Sequence, residues 1–71
     1  MRSFYQYAKS YRGELKITDE GRLAEWIVDD FDFPKQSTDY DELSEYIEWN
    51  SPFPGAASVF DKLWTEYLER R

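Results

Sequence analysis

The sequence predicts an all-α chain, a compact domain of four short helices, from three observations. Four stretches place apolar residues at the i, i+3, i+4, i+7 spacing of a buried helical stripe. No stretch alternates apolar and polar residues with the period of two that a half-buried strand requires. Glycine, proline or short polar residues punctuate every gap between the stretches.

The first helix opens at Ser3, where Ser3 and Gln6 have the spacing of a capping box, and it carries Phe4, Tyr7, Ala8 and Tyr11 on one face. Gly13 is its expected stop. Thr18 or Asp19 caps the second, with acids in its first turn and Leu23, Ala24, Ile27, Val28 and Phe31 as its stripe. Phe33-Pro34 should end it, because the residue before proline is pushed out of the helical region. The third starts at Thr38 or Asp39, buries Tyr40, Leu43 and Ile47, and ends near Asn50. Ser51-Pro52 or Pro54 begins the fourth, proline being tolerated in a first turn. Its stripe is Phe53, Ala56, Ala57, Phe60, Leu63, Trp64, Tyr67 and Leu68.

Seventy-one residues form one domain, 1–71, with no linker, low-complexity tract or repeat to divide it. Area scaling gives a folded surface of roughly 4,700 Å² and burial of a little over ~60% of the unfolded surface. The apolar part of that burial returns on the order of 110 kcal/mol, against ~1.5 kcal/mol of ordering entropy per residue. The two sums nearly cancel, so most rings should be core and an internal substrate cavity is not expected. At 41% apolar and 20% aromatic content the chain is far from the composition of disordered segments and should fold alone.

Cysteine and histidine are both absent, which excludes disulfides and thiol chemistry and leaves zinc without its usual ligands. No run of apolar residues reaches membrane-spanning length, and Met1–Tyr5 does not read as the start of a signal peptide, so cytoplasm is the expected compartment. The net charge of −6 is concentrated: residues 1–28 sum to +1, residues 29–50 to −7 and residues 51–71 to zero. An electrostatic partner is therefore expected to be basic rather than a phosphate backbone.

On a helical wheel with Tyr40 at zero, Leu43 and Ile47 fall near 300° and 340°, while Asp41, Glu42, Glu45 and Glu48 spread from about 80° to 200°. The acids take the face opposite the stripe, and Asp39, Asp41 and Glu42 also sit where the helix dipole favours negative charge. A solvated acidic face is the plain reading. A catalytic carboxylate would need an apolar or like-charged pocket, which nothing in the pattern suggests. A calcium loop counted from Asp30 puts Pro34 fifth, Lys35 sixth and Asp41 twelfth, against the required acid, glycine and glutamate. No catalytic residue, metal or cofactor is expected.

Two tryptophans miss their stripes. Trp26 projects beside Arg22 and Asp29, and Trp49 projects to about 180° among the acids of the third helix, whereas Trp64 lies inside its own stripe. Either neighbouring helices cover Trp26 and Trp49, or they are aromatic anchors ringed by charge, a composition suited to binding.

The segments SFYQYAKSYRG, FPKQSTDYDELSEYIE and FDKLWTEY, in that order over nearly the whole chain, make the sequence resemble the YozE family of small bacterial proteins. The resemblance implies a four-helix domain similar to the sterile-alpha-motif fold, and it implies no activity. Folds of that type include helix-hairpin-helix DNA binders, and Pro52–Ala57 is weakly similar to their glycine hairpin. The second glycine and nearby lysines are missing, however, and tight phosphate binding depends on basic residues.

The expectation is a non-enzymatic protein-interaction module. Its candidate interface is Trp26, Asp39, Asp41, Glu45, Glu48 and Trp49, facing a partner with a basic patch. The alternative is nucleic-acid binding through Lys9, Arg12, Lys16 and Arg22. The charge split also permits head-to-tail self-association that pairs the acidic middle with Lys62, Arg70 and Arg71.

Overall fold

The structure is a computed structural model that describes residues 2–11, 18–50 and 52–70. Among the described residues the chain forms four helices and no strand: α1 Phe4–Tyr11, α2 Asp19–Asp29, α3 Tyr40–Asn50 and α4 Ala56–Arg70. The all-α expectation is met. The expected stop at Gly13 and the possible helix start at Ser51 lie outside the described residues, as do Arg12, Lys16 and Arg71. No helix of the described residues is long and apolar enough to cross a membrane.

Local chemistry sets the helix starts. The Ser3 hydroxyl accepts the Gln6 N–H and the Gln6 side chain accepts the Ser3 N–H, both at 3.3 Å, so the capping box closes as its spacing requires. Thr18 is the N-cap of α2, its hydroxyl accepting the Gly21 N–H at 3.1 Å. Asp39 caps α3: its carboxylate accepts the Asp41 N–H at 3.2 Å and its carbonyl accepts the Leu43 N–H at 3.1 Å. Gly55 stands at φ +83°, a left-handed conformation open to glycine, so α4 begins at Ala56 rather than at either proline.

Packing follows the stripes. α4 contacts each of the other three helices, and α1 also packs on α2. Phe4 sits at the centre, its ring 5.2 Å from Phe60 and 5.5 Å from Tyr67, both edge-on, and 5.7 Å from Trp64. Around it are Tyr7, Ala8, Leu23, Ala24, Ile27, Phe33, Leu43, Ile47, Ala56, Val59 and Leu63, all buried. The Tyr67 hydroxyl donates to the Arg2 carbonyl at 2.5 Å, tying the two ends of the described chain together. The accessible surface of 4558 Å² lies close to the roughly 4,700 Å² that area scaling gives for this mass.

Four expected core positions are corrected. Phe31 is 93% exposed, because α2 stops at Asp29 and Asp30 takes an extended conformation that turns the chain before Phe31 can join the stripe. Phe33 is buried in its place. Ala57 and Leu68 lie on the exposed side of α4, and Val59, passed over in the sequence reading, is buried instead. Tyr40 is partly exposed, since its ring stacks over Phe60 at 5.6 Å while its hydroxyl reaches out to Asp61 at 2.5 Å. That hydrogen bond raises the Tyr40 pKa above its ordinary value.

Candidate functional site

The site is built by the connection between α2 and α3. Three aspartates, Asp29, Asp30 and Asp32, cluster at the C-terminal end of α2, where the helix dipole disfavours negative charge. The helix yields there, and the Phe33 N–H bonds back to the Asp30 carbonyl at 3.4 Å to form a turn. The Lys35 ammonium donates to the Phe31 carbonyl at 2.8 Å and lies 5.6 Å from the centre of the Tyr5 ring. Lys35 is the one basic residue of the segment 29–50, and it is committed to holding this turn.

Tyr46 joins the turn to α3. Its hydroxyl donates to the Asp30 carboxylate, and Phe33 meets its ring edge-on at 5.4 Å. Burial pushes the Tyr46 hydroxyl up to about 12, and the bond to Asp30 adds to the effect because a proton lost there would place two negative charges in contact. Tyr46 lines an open concavity of 730 Å³ whose other lining residues are Asp32, Pro34, Asp39, Asp41, Glu42 and Glu45. All five of its carboxylates belong to exposed residues, and among the described residues none of them forms a salt bridge. No group of acids among the described residues converges in a way that would hold a metal ion. Carboxylates so open to water are suited to meeting cations on a partner surface.

The candidate interface residues divide over three places. Asp39, Asp41 and Glu45 come together at the concavity, although Asp39 also serves as the α3 cap. Trp49 continues the row Glu42–Glu45 by one turn and is 82% exposed. Glu48 lies apart, beside a separate depression formed with Phe53, Pro54 and the first turn of α4. Trp26 is half-buried with its ring 6.2 Å from that of Tyr46, and it lines a third depression with Arg22, Glu25 and Phe53. The two off-stripe tryptophans thus part company, Trp26 being largely packing and Trp49 being surface. Trp64 packs against the core with its ring 5.0 Å from Tyr67.

Of the alternative basic set, Lys9 and Arg22 fall on different helices. Lys9 lies 6.0 Å from the centre of the Tyr5 ring. Arg22 lies 4.7 Å from the centre of the Phe53 ring and pairs with Asp19 at 3.5 Å. Sequence reasoning left Asp32, Glu42 and Tyr46, which also line the concavity, out of the candidate set. The signal that could have found them is the run of aspartates 29, 30 and 32, which opposes continuation of α2 and marks an early turn.

The model of the family described as YozE SAM-like fold matches residues 3–69. Among curated relatives, the UPF0346 proteins of Staphylococcus aureus strains JH9, JH1 and COL are each 49% identical over 67 residues, which cover 94% of this chain and 89% of theirs. No solved structure matches. With the four-helix architecture and this agreement over nearly its whole length, the chain belongs to the YozE family, whose members share a sterile-alpha-motif-like fold.

Proposed function

We propose that this chain is a non-enzymatic, cytoplasmic protein-docking module whose contact face is the acidic side of α3, and that the partner presents a basic patch. The observation that carries the reading is Trp49. In a domain that needs nearly every ring for its core, a tryptophan 82% exposed in line with Glu42 and Glu45 gives up packing that the fold could use. Tryptophan surrounded by charge is a frequent hot spot of protein interfaces, because it covers a large area with little loss of side-chain freedom. The acids supply selectivity and a fast encounter with a positive surface.

The test is a crosslinking pulldown from the native host with the wild-type chain, Trp49→Ala and the double reversal Asp41→Lys, Glu45→Lys. Partners captured by the wild type should be lost from both variants, with circular dichroism confirming that each remains folded. Partners that persist through both changes reject the reading.

A further inference from the structure

We infer that Phe31 is a second anchor of the docking site, and that the cleft between the Phe31 turn and the Glu42–Glu45–Trp49 row takes a lysine- or arginine-bearing, partly apolar segment of another protein. The inference rests on the proposed docking reading and adds the second wall of the site and the chemistry of its occupant.

Three observations carry it. Among the described residues Phe31 is the most exposed large apolar side chain, at 93%, in a chain with few such groups to spare. The backbone that carries it is also held in place. Asp30, just before it, accepts the Tyr46 hydroxyl; Phe33, just beyond, is buried; and the Lys35 ammonium binds the Phe31 carbonyl at 2.8 Å. A ring presented on a braced turn loses little freedom on binding, which is the property that makes an anchor effective. Position is the third observation. Asp32 on the turn and Glu42 and Glu45 on α3 line one concavity with Tyr46. Phe31 is the chain neighbour of Asp32, and Trp49 follows Glu45 by one helical turn, so each exposed ring stands next in the chain to, or one turn along from, a residue that lines the concavity.

Charge complementarity selects the occupant. Five carboxylates line the cleft, and the one cation of the segment, Lys35, is engaged with the Phe31 carbonyl and the Tyr5 ring. Nucleic acid and anionic lipid would be repelled. A basic segment would meet the carboxylates with its ammonium or guanidinium groups and the two rings with its aliphatic stems and apolar residues. A second copy of the chain is a poorer fit, because Lys62 and Arg70 on α4 stand among Asp61, Glu66 and Glu69, which would face the same cleft.

The experiment titrates the isotopically labelled chain with a short synthetic peptide of alternating arginine and leucine, and with a counterpart carrying glutamate for arginine, following amide shifts at low and high salt. Phe31→Ala and Trp49→Ala should each weaken binding of the basic peptide about tenfold or more. Leu68→Ala, at an exposed position on α4, should leave it unchanged. Shifts should fall on both residues 30–34 and 42–49, binding should weaken as salt screens the charges, and the acidic peptide should not bind. Shifts confined to α3, with Phe31→Ala binding like the wild type, overturn the second anchor while leaving the docking face of α3 in place. Failure of the basic peptide to bind at low salt overturns the assigned occupant, and the pulldown then judges the docking reading independently. Self-association of the chain alone in light scattering, abolished by Phe31→Ala, makes a second copy the occupant and overturns the assignment to another protein.

Discussion

Phe31 and Phe33 stand two residues apart and should respond to truncation in opposite ways. Phe33 is 2% exposed, meets Tyr46 edge-on at 5.4 Å and lies 6.2 Å from Tyr5. Phe33→Ala forfeits ~1.5–3 kcal/mol of transfer free energy and leaves a cavity between α1, α3 and the turn, for a total cost of ~3–5 kcal/mol. A domain of this length holds only about 4–11 kcal/mol, so the loss is a large share of the whole. At ~4–8 °C per kcal/mol, the melting temperature should fall by at least about 12 °C, and the variant is read most cleanly by urea unfolding in the cold. Phe31→Ala, on the solvent side of the same turn, should stay within ~0.5 kcal/mol of the wild type. Far-ultraviolet circular dichroism with temperature and with urea measures both. If Phe31→Ala destabilises as much as Phe33→Ala, then α2 continues through residue 31, the turn is wrongly placed and the two-sided cleft does not exist.

Two other outcomes follow from hydrogen bonds and burial. Tyr7 and Tyr46 are both raised from 10.0 to about 12, chiefly by burial, so the fold favours their neutral forms. The stability this confers is fully present below about pH 10 and is lost as the pH rises through the window from 10 to about 12. Urea midpoints taken across that window should fall for the wild type and fall less steeply for Tyr46→Phe, and equal slopes would show that Tyr46 is not part of the effect. Separately, Ser3→Ala removes one half of the α1 capping box and should cost ~1 kcal/mol in urea unfolding, whereas Ser3→Asp should retain most of the stability. Equal losses in the two variants would mean that the cap is not what Ser3 supplies.

The helices were legible because their signals are local. Ser3 and Gln6 close a cap that their spacing announces, Thr18 caps α2, and Phe4, Leu23, Ile27, Leu43, Phe60 and Leu63 are buried where a period of 3.6 residues places them. The failures cluster where two local signals compete. Phe31 continues the stripe of α2 by spacing, yet the aspartates around it oppose the dipole, and the turn prevailed. At the start of α4 the prolines permit a first turn, yet Gly55 takes a left-handed conformation and delays the helix to Ala56, two residues past the nearer proline. The acids of α3 are exposed opposite its stripe, as the wheel places them, while Glu48 and Trp26 line depressions other than the one that Asp39, Asp41 and Glu45 line.

The order of residues alone was enough to establish an all-helical chain, its caps, most of its core and the −7 charge of its middle segment. It could not assign the off-stripe rings. Trp26 and Trp49 look alike on their wheels, yet α3 brings the Tyr46 ring to 6.2 Å from Trp26 on α2, whereas Trp49 stays 82% exposed. A wheel records the direction of a side chain about its own axis. Whether anything stands in that direction depends on where the chain turns back and what it brings across, which no single helix encodes.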